Sequence, residues 1–232
     1  MLSSKSQNGI FIVIEGIDGC GKATQTELLK NRLEKSGRKI LVGDFPRYYS
    51  SEWGKLVGRF LTGEFGKLDE VNPHLAVLTY MIDQYVWSRD AARLWIKKGG
   101  IILSNRYFTS NVHQIAKLKG RARKKYRDWL WRMGYEELGI LRPDLVLFLD
   151  VPPNISAKLN RQKLDRKYLK GKKQDIAERH KHHQLAAYKS YLDEVRRNDW
   201  WAKVKCVSKT KLDSPQLIHQ RIWKKVLYYL LD

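Results

Sequence analysis

Short apolar runs bounded by turn residues alternate along this chain with longer stretches of helical periodicity. Ile10 to Glu15 is a run of Ile, Phe and Val that reads as a buried strand, and Lys22 to Ser36 reads as a helix. Lys39 to Asp44 is a second strand. Ser51 to Thr62 and Pro73 to Lys98 carry helical spacing. Gly100 to Ser104 is a third strand, followed by helical segments to about Leu138. Asp144 to Asp150 is a fourth strand. Pro153 to Lys163 and Asp175 to Arg197 are helical, Val204 to Val207 is a short last strand, and Ser214 to Leu231 is a closing helix. Continuously apolar strands alternating with helices predict an α/β fold, a three-layer sandwich in which helices flank a five-stranded parallel sheet. No internal repeat or low-complexity linker interrupts the pattern, so residues 1–232 are expected to form a single domain.

Composition narrows the setting. The longest apolar run, Leu145 to Leu149, is far too short to cross a bilayer, and Met1 to Asn8 is polar. A soluble, cytoplasmic protein with no membrane partner is expected. Cys20 and Cys206 match neither a disulfide framework nor a zinc motif. His180, His182 and His183 lack the spacing that would put three ligands on one helix face. Charge is the unusual feature: 45 Lys and Arg against 24 Asp and Glu give a net charge of +21. Such a surface attracts polyanions, nucleotides and nucleic acid among them. Lys117 to Arg127 and Lys158 to Lys173 concentrate the basic residues.

The first strand runs into Gly16-Ile17-Asp18-Gly19-Cys20-Gly21-Lys22-Ala23-Thr24, and the first helix opens there. Glycines permit a tight loop whose backbone N–H groups converge on an anion, and the helix N-terminus adds positive potential. The predicted phosphate contacts are Gly16, Gly19, Cys20, Gly21, Lys22, Ala23 and Thr24, with Lys22 reaching the outer phosphates of ATP. Ala23 stands where such loops carry the hydroxyl that ligates Mg²⁺, and Thr24 lies about 100° further round the helix.

Glu15 to Gln25, with an Asp inside the loop and Gln25 after Thr24, resembles the first motif of the thymidylate kinase family. Further landmarks follow in that family's order: Asp44-Phe45-Pro46-Arg47, Phe60 to Gly66, Asn105-Arg106-Tyr107, Arg142-Pro143-Asp144 leading into Leu145 to Pro153, and Asp175 to Glu178 after a basic segment. The likeness spans about residues 9 to 230.

The resemblance implies a P-loop kinase that moves the γ-phosphoryl group of ATP to a deoxynucleotide, with Mg²⁺, a mobile basic lid at about 158–175, and a homodimer. By the same resemblance Lys22, Asp18 and Arg106 are catalytic, and Arg47 and Arg106 hold phosphates. Gly19 takes the place of a loop arginine, so the lid's Arg161 and Arg166 are the candidates for that role. Tyr80 stacks on the base. Gln84, one turn on, replaces an arginine that hydrogen-bonds it. Ser110, Asn111 and Gln114 add base and sugar contacts. Asn105 replaces an aspartate that organises Mg²⁺ through water. dTMP is the leading acceptor. Another nucleoside monophosphate, or a degenerate P-loop protein that binds nucleotide or nucleic acid without efficient turnover, stays open at this point.

Overall fold

A computed structural model describes residues 9–66, 70–160 and 181–231. Its centre is a five-stranded, all-parallel sheet built from β1 (Ile10–Glu15), β2 (Ile40–Asp44), β3 (Ile101–Asn105), β4 (Leu145–Asp150) and β5 (Trp201–Lys205), in the order β2-β3-β1-β4-β5. Register pairs Ile12 with Leu103 and with Leu145, so β1 lies in the middle. The central strands β1, β3 and β4 are buried almost throughout, as parallel strands covered on both faces must be. The edges differ: β2 and β5 both carry exposed positions among their buried ones.

Helices flank the sheet: α1 (Lys22–Lys35), α2 (Glu52–Leu61), α3 (Pro73–Trp87), α4 (Arg93–Lys97), α5 (Val112–Ile115), α6 (Gly120–Trp131), α7 (Pro153–Asn160), α8 (Lys181–Arg197) and α9 (Pro215–Leu231). Local chemistry sets their starts. Ser51 caps α2 by accepting from the Gly54 N–H at 3.4 Å, and Asn72 caps α3 by accepting from the His74 N–H, with Pro73 at the first helical position. α1 packs on α9, α2 on α3, and α5 on α8. One core cluster runs from Phe11 and Ile12 through Phe148 to Val226. A smaller cluster of Val57, Phe60, Leu61 and Ala76 joins α2 to α3.

Among the described residues the elements follow the apolar pattern with three differences. The Pro73–Lys98 helix is interrupted by a π-helical turn at Ser88–Ala92. The last strand is Trp201–Lys205 rather than Val204–Val207, because its outward-facing Lys203 and Lys205 break the apolar run that a buried strand would show. A short antiparallel hairpin, β6 (Val207–Ser208) with β7 (Lys211–Leu212), follows it. Among the described residues no helix is long and apolar enough to cross a membrane.

Candidate active site

The C-terminal ends of β1, β2 and β3 open on one side of the sheet, where ligands bind in parallel α/β folds. The loop after β1 wraps the start of α1, and Gly21 caps that helix with φ 94°, a left-handed conformation suited to glycine. Lys22 is only 8% exposed. Its ammonium donates to the carbonyls of Gly16 at 3.0 Å and Ile17 at 2.8 Å, which holds it inside the loop. Burial lowers its pKa from the ordinary lysine value, and Arg106 adds to the depression.

On one side of the loop lies a cleft of about 280 Å³. Asp18, Lys22, Tyr80, Gln84, Asn105, Arg106, Ser110, Asn111 and Gln114, all expected in the site, line it. Arg106 follows β3 with φ 62°, a conformation that costs a non-glycine residue roughly 1 kcal/mol or more. Its guanidinium pairs with the Asp18 carboxylate and donates to Ser110 Oγ at 3.3 Å. Burial opposes the Arg106 charge, but Asp18, Tyr191 and Glu15 raise its pKa well above the ordinary value.

Beneath Arg106 sits Glu15, fully buried at the end of β1. It accepts from the Tyr107 N–H at 3.3 Å, Thr109 Oγ1 at 2.6 Å, Ser110 Oγ at 2.8 Å and the Tyr191 hydroxyl at 2.8 Å. One carboxylate thus ties the segment after β3 to β1 and α8, which satisfies its buried lone pairs.

Deeper in the cleft the amides of Gln84 and Asn111 orient each other. The Tyr107 carbonyl can only accept, so Gln84 presents Nε2 to it at 3.2 Å. Gln84 Oε1 in turn accepts from Asn111 Nδ2 at 3.2 Å. Arg47 is turned elsewhere: its Nε and backbone N–H donate to the buried Asp83 carboxylate at 2.9 and 3.0 Å, and Nη2 donates to the Asp83 carbonyl. It is absent from the cleft lining, where its neighbour Tyr48 stands. Gly54 makes this possible, since a Cβ there would meet the Arg47 carbonyl oxygen at 2.2 Å.

Several residues in or beside the cleft had no site role assigned from the sequence. Asp44, at the end of β2, receives a 2.8 Å hydrogen bond from Asn105 Nδ2. Gln184 on α8 donates to Asp18 Oδ2 at 2.9 Å. His113 and His183 face each other with ring centroids 5.6 Å apart. Burial drives His113 well below its ordinary pKa, with Arg106 and His183 adding to the effect. Asp44 and Glu15 were visible as acids ending apolar strands. No local signal announces His183 or Gln184, which only the tertiary fold brings to the loop. Arg161 and Arg166 lie outside the described residues.

A second cavity, about 370 Å³, lies across the same loop, lined by Cys20, Thr24, Gln25, Leu159, Leu212, Asp213, Pro215 and Ile218. Gly19, Gly21 and Ala23 line both. Gln25 Nε2 donates to the Pro215 carbonyl at 3.0 Å, which fixes this wall to the start of α9.

A model of the family described as thymidylate kinase matches residues 14–213. The chain belongs to the thymidylate kinase family. A probable thymidylate kinase of Thermococcus gammatolerans is 31% identical over 149 residues, 62% of this chain and 66% of that protein. The thymidylate kinase of Afipia carboxidovorans is 27% identical over 222 residues, covering 96% of this chain and 90% of the relative. Among solved structures, a Candida albicans thymidylate kinase superposes with a TM-score of 0.70 at 20% identity, over 96% of this chain and 92% of that one. That likeness carries the five-stranded fold, and the family places the chain among the kinases.

Proposed function

We propose that this protein transfers the γ-phosphoryl group of ATP to dTMP, giving ADP and dTDP. The observation that carries the reading is the phosphate loop's position as a shared wall between two cavities. ATP would lie on the Leu212–Ile218 side and reach over the loop. The acceptor would lie in the Tyr80–Gln84–Asn111 cleft, its phosphate meeting the transferred group beside Lys22 and Arg106. In-line transfer needs mainly positioning and charge neutralisation, and the residues present offer both.

Within this reading Lys22 and the loop N–H groups of Gly16 to Thr24 hold the ATP phosphates, and Arg106 neutralises charge at the acceptor phosphate. Asp18, fixed by Arg106 and Gln184, receives a sugar hydroxyl. Asp83 holds Arg47 by its Nε and Nη2 groups, which fixes the turn after β2 beside the acceptor cleft. Tyr80 stacks on the base, which meets the amides of Gln84 and Asn111. Ser110 and Gln114 complete that wall. Arg161 and Arg166 would bring charge to the moving group.

Mg²⁺ accompanies ATP in this proposal. The Asn105 Oδ1 atom is buried with no hydrogen-bond donor among the described residues, and a metal-bound water would satisfy it. Mg²⁺ retains several waters readily, which suits a loop with Ala23 in place of a hydroxyl. When bound, the ion would shield the β- and γ-phosphate charge. A homodimer, a single working domain and a cytoplasmic location belong to the same proposal. The degenerate binding protein is disfavoured by the ordered charge around Lys22, Asp18 and Arg106.

A conjugate of adenosine and thymidine joined through an oligophosphate tests the two-cavity arrangement. It should bind more tightly than ATP or dTMP and compete with both. Competition with only one of them would contradict the arrangement.

A further inference from the structure

The family resemblance leaves an imbalance at the metal. Ala23 offers no hydroxyl, and Asn105 offers no charge. The cleft nevertheless contains a second carboxylate besides Asp18. Asp44 ends β2 directly opposite Asn105 in the β2–β3 register, on the same wall as Lys22, Ala23 and Arg106.

The two carboxylates are not equivalent. Asp18 is committed on both oxygens, to Arg106 and to Gln184. Asp44 uses Oδ1 to accept from Asn105 Nδ2 at 2.8 Å, and Oδ2 has no protein partner among the described residues. That hydrogen bond also orients the Asn105 amide. Nitrogen faces Asp44, and the orphaned Oδ1 is the atom left to accept. Two acceptor oxygens on adjacent strand ends, one of them anionic, are the chemistry that a hydrated divalent cation's water hydrogens require. Asp44 is open to solvent, yet enough protein surrounds its carboxyl that desolvation raises its pKa. A nearby cation would stabilise the ionised form.

We propose that Asp44 supplies the carboxylate charge of the Mg²⁺–nucleotide site, acting with Asn105 on the ion's water shell. The negative charge is thereby displaced by one strand, from β3 to β2. The inference rests on the kinase reading above. Asp44 is a positioning residue here, since it acts through the ion's waters.

The test compares the protein with Asp44→Asn, which keeps the side-chain shape and an oxygen to accept from Asn105, and with Asp44→Asn combined with Asn105→Asp, which returns the charge to β3. Mn²⁺ binding in the presence of ADP is followed by loss of the free-ion paramagnetic resonance signal. The Mg²⁺ concentration for half-maximal turnover, and ADP affinity in EDTA, are measured beside it. The expected result for Asp44→Asn is Mn²⁺ binding weaker by about tenfold or more and a matching rise in the Mg²⁺ requirement. ADP affinity in EDTA should stay within about twofold, and the double variant should recover most of the Mn²⁺ affinity. Unchanged Mn²⁺ and Mg²⁺ dependence in an Asp44→Asn protein that binds ADP normally would overturn the assignment and leave the kinase reading intact. Failure of the unsubstituted protein to bind nucleotide or turn over would overturn both.

Discussion

The Asp83 carboxylate accepts from the Arg47 backbone N–H at 3.0 Å and from its Nε at 2.9 Å, while its own side chain is fully buried. The pair joins the end of β2 to the middle of α3, and Gln84, the next residue, faces the cleft. A fixed Arg47 and a fixed Gln84 therefore depend on one carboxylate. Asp83→Asn should lower stability by about 3 kcal/mol, the usual cost of breaking a buried pair. Thermal melting checks that loss. The KM for the acceptor should rise more than that for ATP, and a change confined to ATP would contradict the link.

Lys22→Ala removes the loop's central cation. Turnover should fall by at least about a hundredfold, as when a single transition-state donor is deleted. The fold should persist, because the lysine's hydrogen bonds stay within its own loop, to the Gly16 and Ile17 carbonyls and Cys20 Sγ. A steady-state assay with circular dichroism alongside would show both. Retained activity would mean that Lys22 does not hold the transferred phosphates.

Gln84→Leu keeps the volume of the side chain and deletes its amide. The Tyr107 carbonyl and the Asn111 amide then lose a partner. Preference for dTMP over dCMP should drop by about tenfold, the equivalent of one hydrogen bond with its desolvation. Competition between the two acceptors in one reaction measures it. An unaltered ratio would show that the base is read elsewhere.

His113 gives a pH signature. Its pKa in the folded protein lies well below the ordinary histidine value near 6.5, chiefly from burial. Below that value the unfolded chain binds a proton that the folded protein refuses. Stability should therefore fall as pH drops from about 6.5, by up to about 1.4 kcal/mol per unit from this residue. Melting between pH 7.5 and 5.5 should show a steeper acid decline for the natural protein than for His113→Gln. Identical slopes would mean that His113 does not carry this term.

Much of the sheet was legible because β1, β3 and β4 are buried on both faces and so read as unbroken apolar runs. The edge strand β5 was harder to place: Lys203 and Lys205 face outward and mimic a loop. The phosphate loop was legible for a local reason, since its glycines, lysine and helix start are contiguous. Arg106 and Asn111 stood close behind a strand end and could be carried by motif. Glu15 shows the limit of such reading. Its four donors come from Tyr107, Thr109, Ser110 and Tyr191, and the last is brought to it by the packing of α8. Gln184 likewise reaches Asp18 from far along the chain. Partnerships of that kind are written in the tertiary fold and not in spacing.

The most direct measurement is diphosphate formation from ATP and Mg²⁺ with a panel of deoxy- and ribonucleoside monophosphates, the products separated by chromatography. ADP and dTDP should form in equal amounts, with dTMP the best acceptor of the panel. No diphosphate from any acceptor, under conditions where the protein binds ATP, would contradict phosphoryl transfer to dTMP.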